Sequence, residues 1–138
     1  MSKGASFSLS LLVAAALFMA TAVWARKYTL TASKTVPSAK GEIETHRDKN
    51  GNTQVDLKVE NLAKPSNLSP PGTTYIVWFQ QQGSEPQSQG ELKVGDNLKG
   101  EFKTTTRLQN FEVLVTAESD PQVKTPSGEV VLRATVQE

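Results

Sequence analysis

Alternation of apolar and polar residues is the feature of this chain that most restricts what it can fold into. The pattern runs through six segments: 27–33, 42–44, 54–60, 92–94, 98–103 and 130–137. Because successive side chains of a β-strand point to opposite faces, each run predicts a strand with one buried and one solvated face. No comparable stretch has its apolar residues at helical spacing, so the sequence predicts an all-β domain.

Turn-forming residues divide these runs into short strands. Asn50-Gly51 lies between two alternating runs and tolerates positive φ values, so residues 41–59 are predicted to form a β-hairpin. Other glycines and prolines separate the remaining strands. About seven or eight strands in residues 26–138 predict a single domain, an antiparallel, immunoglobulin-like β-sandwich. The longest irregular stretch, residues 61–72, is predicted to be an ordered crossing between the two sheets.

One predicted strand, Tyr75-Ile76-Val77-Trp78-Phe79, is apolar on both faces. Either Tyr75, Val77 and Phe79 face the core or Ile76 and Trp78 do, and the other set then needs cover. One interpretation is that the irregular crossing or the edge of the domain covers it. The other is that it forms an exposed apolar patch that binds a partner, which makes Ile76 and Trp78 candidate partner-binding residues.

An apolar segment precedes the predicted domain. Lys3 lies before a run from Phe7 to Ala22, and small residues follow. This is the layout of a secretory signal peptide, so residues 1–25 are predicted to be a signal helix that is cleaved after Ala22 or Ala25. The alternative is an uncleaved anchor, since the run is at the short limit for a membrane span. Both interpretations predict an extracytoplasmic domain, periplasmic or secreted, which contacts a membrane only if the segment is retained.

Charge and cysteine content exclude several classes of function. The chain has 15 Lys and Arg and 14 Asp and Glu, and removal of the leader takes away Lys3 and leaves 14 of each. Without a basic excess, the domain is not expected to bind nucleic acid. The sequence has no cysteine. Disulfides, a thiol nucleophile and cysteine-ligated metals are therefore excluded, and the fold depends on packing and backbone pairing.

Candidate reactive groups are few. The single histidine, His46, is predicted to be solvated beside the hairpin turn, and the chain has no Gly-x-Ser-x-Gly nucleophile motif. Asp48 begins a segment that resembles a calcium loop, but the Gly and Glu that an EF-hand needs are absent from their places. Glu42 and Glu44 share a strand face and are predicted to be solvated. The sequence therefore predicts no enzyme, no catalytic or metal site and no cofactor.

Several motifs resemble a known family by their order along the chain. They are Tyr75-Ile76-Val77-Trp78, Gly90-Glu91-Leu92, Val115-Thr116-Ala117-Glu118 and Pro126-Ser127-Gly128-Glu129-Val130-Val131-Leu132. In this order, residues 73–134 resemble the extracytoplasmic C-terminal domain of bacterial anti-sigma-K factors. The resemblance implies the outer sandwich domain of that family, located outside the cytoplasm. It does not imply sigma-factor inhibition, because only a few residues precede the apolar segment.

These observations together favour an exported, non-enzymatic β-sandwich module that contacts another protein or an envelope component. The alternative is a small-ligand or glycan-binding domain. In that hypothesis the loops 61–72 and 83–89, which are rich in Gln, Ser and Asn, form a binding rim. Glycan sites usually present aromatic side chains, and these two loops contain none.

Overall fold

The computed structural model describes residues 25–138, whose regular structure consists of eight β-strands and one short 3₁₀ turn, Pro65–Asn67. The strands are β1 (Ala25–Ala32), β2 (Lys40–Arg47), β3 (Thr53–Glu60), β4 (Thr74–Gln80), β5 (Gln87–Leu92), β6 (Gly100–Thr106), β7 (Asn110–Glu118) and β8 (Val130–Gln137). All of their pairings are antiparallel. The prediction of an all-β antiparallel domain is therefore confirmed. The predicted signal helix lies outside the described residues, except for Ala25.

The strands are hydrogen-bonded in the order β5-β4-β7-β8-β1-β2-β3-β6. The long strand β1 divides this sheet into two halves, because its residues 25–30 pair with β2 whereas Thr31 and Ala32 pair with β8. The strands β5, β4, β7 and β8 are the β4–β7 half, and β2, β3 and β6 are the β2–β3 half. A Cβ atom at Gly41 would lie 2.3 Å from Leu30 Cδ1, so this glycine allows Leu30 to pack inward across the strand pair.

The main core lies between the two halves of the sheet. Its continuous cluster of buried side chains includes Ile43 and Leu57 from the β2–β3 half and Val77 and Val113 from the β4–β7 half. The sheet therefore curves until its two halves face each other. The edge strands β5 and β6 approach each other near the isolated bridge between Val94 and Gly100, so the sheet is nearly closed.

The strands β2 and β3 form the predicted hairpin and pair along their whole length. The connection is a five-residue loop, 48–52, in which Gly51 has a φ of 80°. Asp48 Oδ1 closes this loop by accepting the backbone N–H of Asn50 at 2.8 Å and that of Asn52 at 2.9 Å. The Asp48 carboxylate therefore stabilises its own turn, which is the usual role of aspartate at the start of a loop.

The edge strands differ from the alternating runs that were expected to form them. The run 92–94 predicts a strand, but β5 ends at Leu92 and its earlier residues are polar or glycine. Because β5 is an edge strand that pairs only with β4, most of its side chains stay partly or fully exposed and need not alternate; only Leu92 is buried in the main core. The other edge, β6, begins after Leu98, whose φ of 63° belongs to a turn and not to a strand.

The 61–72 segment connects β3 to β4 and packs against the main core, as predicted for an ordered crossing. Leu62 is fully buried, and Leu68 is partly buried against the same cluster. The hydroxyl of Tyr75 donates a hydrogen bond to the carbonyl of Ala63. Burial raises the pKa of Tyr75 to about 12. The crossing therefore stabilises the inner side of β4 and leaves its outer side to other parts of the chain.

Candidate functional site

The apolar residues of β4 point to two sides of the sheet. Three of them belong to the main core: Tyr75, Val77 and Phe79. Ile76 and Trp78 lie on the opposite side, here named the outward face, and form a second buried cluster with Leu114 of β7. Of the two arrangements that the sequence left open, the chain adopts the one in which Ile76 and Trp78 need separate cover.

The segment 119–129, which connects β7 to β8, covers this second cluster. Val123 of the segment and Val130 at the start of β8 pack against it, and Ile76 and Trp78 are both 0% exposed. Of the two covers that were expected, the 61–72 crossing is not the one used, since it packs on the main core. Partner binding at Ile76 and Trp78 stays a prediction, and it requires the segment 119–129 to move.

A chain of hydrogen bonds fixes the covering segment to the strands. The indole Nε1 of Trp78 donates to Thr116 Oγ1 at 2.8 Å, and the Thr116 hydroxyl donates to Glu118 Oε2 at 2.6 Å. From the covering segment, Ser127 donates to Glu118 through its hydroxyl and its backbone N–H, and Gly128 donates through its backbone N–H. The Glu118 carboxylate therefore joins the segment to the sheet through charge-assisted hydrogen bonds. This network is here named the Glu118 clamp.

The Glu118 clamp favours the ionised carboxylate. Glu118 is 2% exposed, and burial alone would raise the pKa of its carboxyl group. The hydrogen bonds from Ser127, Thr116 and Gly128 have the opposite effect and outweigh burial. The pKa of Glu118 is therefore lowered from its ordinary value. The close approach depends on glycine at 128, because a Cβ atom there would lie 1.8 Å from the carbonyl oxygen of Ala117.

Two motifs from the sequence analysis meet in the Glu118 clamp. Thr116 and Glu118 belong to the Val-Thr-x-Glu strand motif, and Ser127 and Gly128 belong to the Pro-Ser-Gly turn motif. The structure brings these motifs together by hydrogen bonds between Glu118 and the turn. All four residues take part in attaching the segment 119–129 to the outward face.

The other end of the outward face is open to solvent and forms a cleft of about 460 Å³. Trp78 and Leu114 are a buried pair of neighbours on β4 and β7. The next pair on the same face, two residues along each strand, is Gln80 and Glu112. The lining comes from the ends of β4, β7 and β8 and from the turn after β4: Gln80, Gln81, Gln82, Gly83, Asn110, Phe111, Glu112, Thr135, Val136 and Gln137. Its volume lies in the range of roughly 300–1,000 Å³ that small-molecule sites occupy. Because Gln and Asn dominate its lining, it is here named the amide cleft.

Hydrogen bonds hold both rims of the amide cleft in place. On the rim after β4, Gln80 Nε2 donates to the carbonyl of Ser84 at 3.0 Å, and the backbone N–H of Ser84 donates to the carbonyl of Gln81 at 3.1 Å. On the opposite rim, the carbonyl of Gln137 accepts the hydroxyl of Tyr28 at 2.7 Å. Rims that are ordered before binding reduce the entropy lost when a ligand is held.

The amide cleft presents mainly uncharged hydrogen-bonding groups. Each Gln or Asn side chain offers two N–H donors and one carbonyl acceptor. Among the lining residues, only Glu112 is charged, and its Oε1 lies 3.4 Å from Arg133 Nη1 on the neighbouring strand. Since this carboxylate has a cationic partner, the cleft is suited to hydroxyl and amide groups more than to ions.

The titratable residues considered as reactive groups lie on the other half of the molecule. His46 Nε2 is 3.2 Å from Glu44 Oε1, and Glu42 Oε1 is 3.7 Å from Lys27 Nζ, all on the solvated side of β1 and β2. Among residues 25–138, no three His, Asp or Glu side chains group as metal ligands. In the same part of the chain, no helix has the length and apolarity needed to span a bilayer.

The two loops that were expected to form a binding rim do not meet. The 61–72 segment leads into the start of β4, whereas 83–89 follows its end, so they lie at opposite ends of one strand. The amide cleft includes Gly83, but its other walls come from β7 and β8. The one local signal for it was the run Gln80-Gln81-Gln82 directly after an apolar strand.

No protein-family model matches the chain, and no curated protein matches it closely enough to be a relative. The likeness to the outer domain of anti-sigma-K factors therefore stays a prediction that depends on the motifs quoted above. Inferences about function rest on the geometry of the outward face.

Proposed function

We propose that this chain is an exported β-sandwich module that binds another protein or an envelope component and has no catalytic activity of its own. The observation that carries the proposal is the outward face of the β4–β7 half. One end is covered by the segment 119–129, and the other is an open cleft of about 460 Å³ with ordered rims. A concave surface with convergent polar groups is suited to holding a partner. The likeness to the anti-sigma-K outer domain supports the fold and the extracytoplasmic location of this module.

The proposal includes an immunoglobulin-like sandwich as the finer description of the fold. In such sandwiches the chain passes repeatedly between two packed sheets. Three connections cross between the halves here, from β3 to β4, from β5 to β6 and from β6 to β7. The buried cluster shared by both halves supports this description. The pairing of β1 with both β2 and β8 is the main departure from two separate sheets.

An extracytoplasmic location is part of the proposal because of the leader-like residues 1–25. Their short basic start, apolar run and small residues are those of an export signal. Cleavage after Ala22 or Ala25 would release the domain into a periplasm or the medium. Retention of the segment would instead hold the domain at a membrane.

The exposure of the acidic pair supports a non-catalytic role. The side chains of Glu42 and Glu44 are 55% and 36% exposed on a sheet face. Carboxylates that cleave a glycosidic bond act across a substrate from two sides, in a site that limits the access of water. A solvated pair on one face of one strand does not provide that arrangement. No cofactor or metal is part of the proposed function.

Immunoprecipitation from the envelope of the exporting host tests the proposal. The full chain is cross-linked in cells and captured with an antibody, in parallel with the double variant Gln81→Ala/Asn110→Ala. The matched control is Gln54→Ala, an exposed glutamine on the β2–β3 half. We expect one envelope component to be enriched with the wild type and the control, and at least fivefold less with the double variant. Enrichment at background level, or equal enrichment with all three chains, would contradict the proposal.

A small-ligand or glycan-binding domain is the second candidate function. The observation that favours it is the size and chemistry of the amide cleft, where five of ten lining residues carry a side-chain amide. Amides pair with hydroxyl groups as donors and as acceptors. In this hypothesis the envelope component is recognised through a short polar segment and not through a large apolar surface.

A further inference from the structure

We infer that the amide cleft binds a segment of an uncharged linear oligosaccharide, which lies across the ends of β4, β7 and β8. The inference rests on the proposed function, and it names the chemical class of the envelope component that the outward face holds.

The exposed amides of the cleft suit a ligand with many hydroxyl groups. Gln81 and Gln82 on one rim and Asn110 and Gln137 on the other all have exposed side chains. Neighbouring hydroxyls on a sugar ring can donate to an amide oxygen and accept from the amide N–H₂ at the same time. Thr135, exposed between the rims, adds a hydroxyl that can both donate and accept.

The charges of the cleft disfavour an ionic ligand. None of its lining residues is Lys, Arg or His. The two arginines beside the cleft already have partners, since Arg26 Nη1 donates to the carbonyl of Gln137 at 2.9 Å and Arg133 Nη1 lies 3.4 Å from Glu112 Oε1. A phosphate, a sulfate or a uronic acid would therefore lose hydration and have to compete with these partners for a cation. The single lining carboxylate, Glu112, already lies 3.4 Å from Arg133. A cation would have to compete with that guanidinium. An uncharged ligand avoids both costs.

The floor of the cleft is fixed by the main core beneath it. The lining residues Phe111 and Val136 have buried side chains, and the Phe111 ring packs on Phe79 with centroids 4.6 Å apart. Three neighbouring strands at a spacing of about 4.8 Å give a floor about 10 Å across. An extended sugar chain can cross this floor while its hydroxyls meet amides on both rims. Because the exposed lining has no aromatic side chain for ring stacking, hydrogen bonds carry the recognition.

Titration calorimetry of the full chain with a panel of linear hexasaccharides tests the inference. The probes are maltohexaose, cellohexaose, xylohexaose and hexa-N-acetylchitohexaose, with hexagalacturonate as the anionic comparison. We expect at least one neutral probe to bind, and the anionic probe to bind at least tenfold more weakly. Gln81→Ala/Asn110→Ala should weaken binding at least tenfold, and Gln82→Ala alone at least threefold. The control Gln54→Ala should keep it within twofold.

The outcomes separate this inference from the proposed function. No heat with any neutral hexasaccharide, or equal binding by the cleft variants and the control, would overturn the inference. If envelope capture still depends on Gln81 and Asn110 in that case, the partner is not an uncharged oligosaccharide and the proposed function stands. If the wild-type chain also captures no envelope component above background, both proposals are wrong. Circular dichroism of each variant, identical to that of the wild type, excludes misfolding as the cause.

Discussion

The two ends of the outward face differ although the same strands, β4, β7 and β8, build both. At the covered end, Ile76, Trp78 and Leu114 lie beneath the segment 119–129. At the open end, Gln80 and Glu112 continue the same rows of outward side chains into solvent. Every second residue points outward at both ends, so alternation alone does not determine burial. The connections do, because the β7–β8 segment folds back over one end and the β4–β5 turn only borders the other.

The covered end contributes to stability, whereas the open end is available for binding. The covered end removes a tryptophan and two aliphatic side chains from water, which stabilises the fold. The open end removes little apolar surface from water, since its outward side chains are polar. The exposed amides of Gln81, Gln82 and Asn110 are therefore available to a ligand. Substitutions at the two ends should accordingly produce opposite patterns of stability and binding.

The largest effect is expected from Trp78→Ala at the covered end. Removing a fully buried tryptophan leaves a cavity and should cost about 3–5 kcal/mol of unfolding free energy. Urea unfolding of the full chain, followed by far-ultraviolet circular dichroism, measures this cost. Trp78→Phe, which keeps a ring but loses the donor to Thr116, should cost less than half as much. A cost below about 1 kcal/mol for the alanine variant would mean that the segment 119–129 does not cover Trp78 in solution.

A smaller effect is expected from Glu118→Gln, which keeps the shape of the clamp but not its charge. The side-chain NH₂ group of the glutamine would point its N–H donors at other donors, which are the hydroxyl and N–H of Ser127 and the N–H of Gly128. Losing the charge-assisted hydrogen bonds to the buried carboxylate should cost about 1–3 kcal/mol. In a Trp24→Phe background, the Trp78 fluorescence should also become more accessible to acrylamide. Glu60→Gln, an exposed control at the end of β3, should leave both readings unchanged; equal effects of the two variants would contradict the clamp.

The contribution of Glu118 should also depend on acid. Because its folded pKa is lowered from the ordinary value of 4.5, ionised Glu118 stabilises the fold fully above that pH. The stabilisation is lost as the pH falls through the lowered folded pKa. The difference in unfolding free energy between the wild type and Glu118→Gln should therefore shrink between pH 5 and pH 3, as measured by urea titrations on the full chain. A difference that stays constant over this range would exclude a lowered pKa.

An exposed ion pair provides the control for this acid dependence. The pKa of Asp96 is also lowered, through its hydrogen bond and charge interaction with Lys64. This pair is solvated, and exposed ion pairs contribute little to stability. Asp96→Asn should therefore preserve the acid dependence of the wild type. If Asp96→Asn removed it instead, the covered end would not be its source.

The sequence predicted the strands well where one face is dry and the other wet. Val55, Leu57 and Val59 alternate in β3, and all three are buried in the main core. It could not decide the orientation of β4, because both sets of its side chains are apolar. Nor could it identify the cover, since Val123 lies 45 residues beyond Trp78 and is a lone apolar residue among polar neighbours.

The open cleft was harder still to predict. Its polar residues lie in three separate parts of the chain and look like ordinary turn and strand-end residues. What unites them is the pairing of β4 with β7 and of β7 with β8, which places Gln80, Glu112 and Thr135 in one row. Such long-range pairing has no local signature in the sequence, whereas the alternation that defines each strand does.

The smallest effect on stability is expected at the open end, and it tests the comparison most directly. Gln82→Ala and Asn110→Ala remove exposed side chains, so each should change the unfolding free energy by less than about 0.5 kcal/mol. Thr135→Val should likewise raise the unfolding free energy by no more than that amount, because an apolar side chain without a covering segment stays in water. Urea unfolding measures all three. A gain of more than about 1 kcal/mol from Thr135→Val would show that this end is also covered in solution, and the two ends would then differ in side-chain chemistry alone.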